Sequence, residues 1–216
     1  MKIQSQIIYR LAEFNHLNSL IDCVQQSFPS PGGETMARVL DIKSEDYFSF
    51  TRMVCEKAVV EKLSWVAISE MDRVVGFCIS EPMSTAPLYS DFNLDPKFSP
   101  LFALLEELDN RYLITTSADP EEIFHLYMLG VLPAYSGSGI GRALLKGSLN
   151  FAREKGFTLA VAEATGEASQ GLCKSLGFET KASVAYDSFV FGGKRPFKNI
   201  TEPRCCTLVE RMLCQP

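Results

Sequence analysis

The sequence predicts a mixed α+β fold, a sheet with helices flanking it. Short β-rich segments at hairpin spacing, amphipathic helical spacing between and after them, and one strand–glycine turn–helix–strand unit in the second half carry this assignment. Residues 3–11 hold β-branched and apolar side chains suited to start a sheet. Residues 15–28 repeat apolar side chains at Leu17, Leu20, Ile21, Val24 and Phe28, a helical spacing with Asn15 as its N-cap. Pro29-Ser30-Pro31-Gly32-Gly33 is a loop by composition. A short helix is expected over 34–40 and a longer one over 44–63, with Phe48, Met53, Val54, Ala58 and Val59 on its apolar side. Strands at 65–69 and 73–80 turn about Met71-Asp72. The proline-rich stretch 81–100 reads as a long loop, and 100–112 as a helix.

The pattern then sharpens. Residues 123–131 alternate as a strand, 137–141 are a glycine-rich turn, and 142–155 place Ala143, Leu144, Leu149 and Ala152 on one helical face. A strand is expected at 157–163, a short helix at 168–176 closed by Gly177, and further strands at 179–191 and 205–213.

Composition narrows the function classes. The 216 residues are 46% hydrophobic and 22% charged, which suits one globular domain spanning 1–216. A net charge of −5 argues against nucleic-acid binding, which needs a basic face. No apolar run is long enough for a transmembrane helix, and the first residues hold no apolar signal core, so a cytoplasmic protein without membrane attachment is expected. Seven cysteines without a C-x-x-C pair, and only two histidines, point to free thiols and no metal site. Monomer and homodimer both remain open.

The chemistry concentrates after Leu129-Gly130-Val131, where a proline stops the strand and Gly137, Gly139 and Gly141 alternate before a helix. Such glycines let successive backbone N–H groups face one centre, and the helix start adds partial positive charge, a combination suited to a pyrophosphate. A plain flexible turn is the alternative. Two other phosphate loops fail: a P-loop needs G-K-[ST], but Arg142-Ala143 follows Gly141, and G-x-G-x-x-G would require glycine at Arg142 or Leu144.

Ser136-Gly137-Ser138-Gly139-Ile140-Gly141 resembles the acyl-CoA loop [QR]-x-x-G-x-[GA] of the GCN5-related N-acetyltransferases, with Ser136 in place of the long polar first residue. The preceding Leu-Gly-Val-x-Pro is similar to that family's fourth strand. The segment from Ala168 to Phe178 is similar to its A-x-x-L-Y-x-x-L-G-F helix and turn. The resemblance implies a mostly antiparallel sheet of six to seven strands whose fourth and fifth strands splay. It implies acetyl-CoA as cofactor, with pantetheine against the backbone of Leu129, Gly130 and Val131 and pyrophosphate held from Ser136 through Ser138 and Ile140 to Arg142. It also implies a small-molecule amine as acceptor, attacking the thioester directly in a ternary complex. A protein or peptide acceptor, or a non-catalytic acyl-CoA-binding module, is the alternative.

An alkylamine is mostly protonated at neutral pH, so a base is useful. His125 and Tyr127 share one strand face by alternation and are similar to the H-x-H strand of vertebrate arylalkylamine N-acetyltransferases, with tyrosine as second member. His125 is expected to titrate near neutrality, and Tyr127 to hold a water. Glu34, in Gly33-Glu34-Thr35-Met36, resembles the basic glutamate of the insect-type enzymes. The reading favours Glu34 and His125 sharing a water-mediated proton path. Thr165 and Ser169 match two serines of the insect-type enzymes; Thr165 is assigned to cofactor binding, and Ser169 either bonds the CoA sulfur or caps a helix. Cys173 replaces the usual thiolate-protonating tyrosine and is not expected to act as nucleophile. Glu163 and Glu167 are read as solvated rather than amine-attracting, and Tyr89 and Phe92 as part of a loop over the acceptor site.

Overall fold

The computed structural model describes residues 6–30, 33–86 and 95–213. Strands β1 (Ile8–Leu11), β2 (Trp65–Ile68), β3 (Val74–Pro82), β4 (Ile123–Val131), β5 (Leu159–Ala164), β6 (Glu179–Ala185) and β7 (Cys205–Met212) form one sheet in the order β1-β2-β3-β4-β5-β7-β6. Every neighbouring pair is antiparallel except β4 and β5. The helices are α1 (Leu17–Ser27), α2 (Thr35–Val39), α3 (Phe48–Glu61), α4 (Ser99–Leu113), α5 (Ile140–Glu154) and α6 (Glu167–Ser175). No helix among the described residues is long and apolar enough to cross a membrane.

Alternation along β3 separates two layers. A Cβ built on Gly76 would meet Ile140 and Leu144 of α5, whereas one built on Gly130, the partner of the next residue Phe77, would meet Phe77 and Ser27 of α1. Successive strand residues face opposite sides, so α1 and α5 lie on opposite faces of the sheet. Helices α3 and α4 join the α1 side through an aromatic cluster in which Tyr47 meets Phe98 edge-on at 5.2 Å and Phe50 meets Phe102 at 5.8 Å. Burying such rings is the largest apolar contribution available to a core of this size.

Several boundaries differ from the sequence reading. The first helix begins at Leu17 after a 3-10 turn, and Asn15 does not cap it; His16 instead accepts the backbone N–H of Glu13 at its Nδ1, 3.0 Å away. Strand β3 runs on through Glu81 and Pro82, where a loop was expected, and β6 stops at Ala185. Tyr89 and Phe92 lie outside the described residues.

Two local features shape the site. Strands β4 and β5 pair only from Ile123 to His125, against Leu159 to Val161, and beyond that the strands part. From Ile79 to Glu81, β3 advances two residues while β4 advances three, from Met128 to His125. The extra residue is a bulge on β4, which bends the strand and re-aims its side chains. It leaves His125 directly opposite Glu81.

Candidate active site

The glycine turn sits at the mouth of the β4/β5 gap. Gly137 and Gly139 have φ of +75° and +86°, and a Cβ added to either would point into open space. Gly139 is the N-cap of α5, and its carbonyl accepts the N–H of Ala143 at 3.0 Å. The N–H groups of Ile140, Gly141 and Arg142 precede that bond and are those that a helix start leaves open. Gly141 lies between Val131 of β4 and Leu172 of α6. Leu129, Gly130 and Val131 pair with β3 on one edge and have no β5 partner on the other. Ser136 and Ser138 are exposed, and Arg142 donates to the Ser175 hydroxyl at 2.7 Å. A backbone gap next to a cluster of open N–H groups at a helix start fits the pantetheine and pyrophosphate of an acyl-CoA.

Across the gap, Glu34 is the N-cap of α2. One carboxylate oxygen accepts the Met36 N–H at 2.8 Å and the other accepts the Thr165 hydroxyl at 3.0 Å. Burial pushes the Glu34 carboxyl above its usual range, although these hydrogen bonds pull the other way. Thr165 stands just past the end of β5, and its carbonyl accepts the Tyr186 hydroxyl at 2.6 Å. Ser169 closes the α6 cap: its hydroxyl donates to the Gly166 carbonyl at 2.9 Å and accepts the Gly166 N–H at 3.1 Å.

His125 is fully enclosed. Its Nδ1 lies 3.2 Å from Glu81 and its Nε2 2.8 Å from Glu163. Burial alone lowers a histidine pKa; here the charges and hydrogen bonds of Glu163 and Glu81 outweigh it and raise His125 well above the usual value. The expectation of titration near neutrality is thus corrected: two carboxylates hold the ring as a cation. Glu163 is corrected too, from solvated to buried. Burial pushes its carboxyl up, but the His125 cation, with help from Asp109 of α4, brings it below the usual range. Glu167 is exposed, as read. Glu81 extends the chain to Lys57 of α3, which also meets Glu61 at 3.4 Å. Tyr127 stacks edge-on to His125 at 5.5 Å, on the side the alternation predicted, and its buried hydroxyl has no partner among the described residues. Glu34 and Thr165 are brought together; Glu34 and His125 are not hydrogen-bonded to each other.

Glu81 and Lys57 escaped the sequence reading. The signal was present in the alternation Val75, Phe77, Ile79, Glu81, which continues one inward face of β3 onto a charged residue. Cys173 is buried, its thiol pushed up to about 12 by burial, which suits a core residue and not a nucleophile. Among the described residues no cluster suited to a metal ion occurs.

A model described as the acetyltransferase (GNAT) family matches residues 34–178. The chain belongs to the GNAT family. Among solved structures, arylalkylamine N-acetyltransferase 2 from Aedes aegypti is similar with 19% identity and a TM-score of 0.83, covering 97% of this chain and 100% of that one. The C-terminal condensation domain of Ebony, in complex with beta-alanyl-dopamine, is similar with 18% identity and a TM-score of 0.86 over 97% and 100%. Polyamine N-acetyltransferase from Drosophila melanogaster reaches 16% identity and a TM-score of 0.73 over 96% and 100%. At these identities the likeness is one of fold. The splayed β4/β5 pair is thus a GNAT feature that this chain keeps, in a mostly antiparallel sheet as the resemblance implied.

Proposed function

We propose that the protein transfers an acetyl group from acetyl-CoA to the primary amine of a small molecule, with Glu34 as general base. The observation that carries this is the bond between Glu34 and Thr165, which fixes a buried carboxylate of raised pKa beside the end of β5, facing the gap. Acetyl-CoA supplies an acyl carbonyl that an amine can attack. The open N–H groups at 140–142, with Gly137 and Gly139, suit its pyrophosphate, and Leu129 to Val131 suit its pantetheine. Arg142 adds charge beside the phosphates.

The acceptor enters as an ammonium and must lose a proton before its nitrogen attacks. Deprotonating a group of pKa near 10.4 at pH 7 costs roughly 4 kcal/mol. Glu34 receives that proton at Oε2, the oxygen that Thr165 orients. Its raised pKa brings the carboxylate nearer to the amine's and improves the exchange. His125, already a cation between Glu81 and Glu163, is a positioning residue in this reading. It anchors both carboxylates and the β4 bulge. Tyr127, whose buried hydroxyl has no partner among the described residues, offers a bond to acceptor or water. Ser169 acts through the α6 cap that sets Thr165. The relatives named for arylalkylamines and polyamines support a small amine over a peptide.

Thiol release from acetyl-CoA, measured with an amine panel and a peptide panel, tests the reading. Turnover with small amines and not with peptides is expected. Turnover confined to peptides overturns the acceptor class, and binding of CoA with no turnover on either panel overturns the enzymatic reading.

A further inference from the structure

The ladder between β5 and β7 ends at the pair Ala164 and Thr207. The next carbonyl along, that of Thr165, lies beyond the ladder and needs a donor from elsewhere. Tyr186 supplies it: the phenol hydroxyl donates to the Thr165 carbonyl at 2.6 Å. Tyr186 stands one residue past the end of β6 and is fully buried. Its own N–H donates to the Arg204 carbonyl at 3.1 Å, and its ring meets Phe197 edge-on at 6.0 Å. The phenol is thus fixed through both backbone and ring. With its proton given to Thr165, the hydroxyl oxygen is left to accept from the Cys206 thiol of β7. Burial pushes the phenol and the thiol up, so both keep their protons across the neutral range.

The Thr165 carbonyl and the Gly166 N–H belong to one planar peptide group. Tyr186 holds its oxygen, and the Ser169 hydroxyl accepts its N–H at 3.1 Å. A plane gripped at both ends does not turn about the chain. The Thr165 side chain is β-branched, so its χ1 is stiff and its hydroxyl points where the backbone sends it. That hydroxyl donates to Glu34 Oε2 at 3.0 Å. Cys206, Tyr186, Thr165 and Glu34 therefore act in series, drawn from β7, the end of β6, the end of β5 and the start of α2. The sheet does not need the phenol for its own closure. Gln170 of α6 already ties β5 to β7, donating to the Ala164 carbonyl at 3.1 Å and to the Cys205 carbonyl at 2.8 Å.

We propose that Tyr186 is a positioning residue for the Glu34 base: it holds the Thr165 carbonyl and so aims the Thr165 hydroxyl at the carboxylate oxygen that takes the acceptor's proton. This rests on the N-acetyltransferase reading with Glu34 as base and adds a residue to the same site. Tyr186 acts through Thr165 and not on the reacting atoms. The consequence is a change in proton affinity. A donor to a carboxylate favours its charged form, so loosening the Thr165 bond lets the Glu34 carboxyl rise further. The other groups that act on Glu34 stay in place: the N–H groups of Thr35 and Met36 and the Arg38 cation, all of α2. Tyr47 and Cys206 also sense the Glu34 charge, and burial keeps both neutral.

The test records kcat/KM against pH for the wild type, Tyr186→Phe, Thr165→Val, the double variant and Glu34→Gln, with the amine that the wild type turns over best. The Glu34 carboxyl is titrated in parallel by carbon-13 NMR in the CoA-bound wild type and Tyr186→Phe. The phenylalanine keeps the ring against Phe197 and removes only the hydroxyl. Each single variant is expected to move the acid limb to higher pH by about half a unit or more, the scale of weakening one hydrogen bond to a charged group, with CoA affinity unchanged. The double variant moves no further than Thr165→Val, because the two side chains act along one path. A fall in rate or Tm with an unmoved limb in Tyr186→Phe makes the tyrosine merely structural and overturns the proposal, as does a double variant whose shift is the sum of the two. Both results leave the base reading standing if Glu34→Gln removes the limb. If Glu34→Gln keeps the wild-type limb, or no amine is acetylated, that reading falls and the NMR titration decides alone: a Glu34 carboxyl that titrates higher in Tyr186→Phe supports the positioning role, and an unchanged one overturns it.

Discussion

The Thr165 hydroxyl donates to the Glu34 carboxylate at 3.0 Å across 131 positions of sequence. The bond fastens the start of α2 to the end of β5, and a second approach reinforces it: a Cβ on Gly166 would stand 3.0 Å from the Thr35 hydroxyl. A carboxylate that would otherwise be an ordinary helix cap is thereby held at the rim of the gap.

Glu34→Gln keeps the N-cap geometry and removes the proposed base. We expect kcat/KM for amines to fall by about a hundredfold or more, with CoA affinity nearly unchanged. Because the carboxyl is raised, the basic form is lost as pH falls through a value above the ordinary carboxylate range, and the acid limb of the wild-type profile belongs there. The variant also loses a buried charge, so its Tm should not drop. Steady-state rates across pH 5–9, with a melting curve, check all three points, and full activity in the variant removes Glu34 from the mechanism.

His125→Gln leaves Glu81 and Glu163 facing each other without the cation between them. Breaking a buried charge pair by removing one member typically costs about 3–5 kcal/mol, and urea unfolding should read a loss of that order. Linkage fixes the pH window. The folded pKa of His125 is raised, so its contribution is complete below the unfolded value near 6.5 and fades as pH rises through the folded one. The Glu163 pKa is lowered, so the same interaction is also lost as pH falls through its folded value. The wild type should lose stability at the alkaline end more steeply than the variant; parallel curves across pH 5–10 contradict a charged clamp.

Gly139→Glu puts a negative charge where the loop is open. Its φ of +86° also strains any L-residue by about 1–2 kcal/mol. Gly139→Ala carries that strain alone, since its Cβ meets nothing. By calorimetry the glutamate variant should bind CoA far more weakly than the alanine variant. Equal affinities, with both proteins folded, place the pyrophosphate elsewhere.

Cys173→Ala should retain kcat within a few fold. The thiol is buried and held protonated, and its removal opens only a small void, for which about 1 kcal/mol of stability is a fair expectation. A folded alanine variant without activity gives this thiol a chemical role.

The glycine turn and the helix it opens were legible because their determinants are consecutive. Ser136 to Arg142 carry their message in glycine spacing and in the helix that follows. The cluster of His125 with Glu81 and Glu163 was not, because its members come from distant segments. Glu81 looked like the first residue of a loop, being charged and followed by proline, and only pairing with β4 shows it to be the inward end of a strand. Glu163 looked solvated for the same reason: a carboxylate reads as surface until its cation is known, and that cation is His125, 38 positions earlier. The bulge that aligns His125 with Glu81 leaves no mark in composition. Fold order was read with few errors, since periodicity is local; the Asn15 cap failed because the His16 ring serves the turn instead.

The ladder between β4 and β5 is three residues long, the shortest among the described strands, and every other neighbour pair in the sheet is matched over at least four. Within the sheet, β1 to β4 make one stiff plate and β5, β7 and β6 another, and the backbone bonds between the two form one short seam. Under tension or heat the seam is where such a sheet parts first, because fewer backbone bonds must break together there. Amide exchange at Ile123 to His125 should therefore outpace that at Gly76 to Ile79 in the neighbouring ladder. A molecule lying in the gap would slow it, acting as a brace between the plates as well as a reactant.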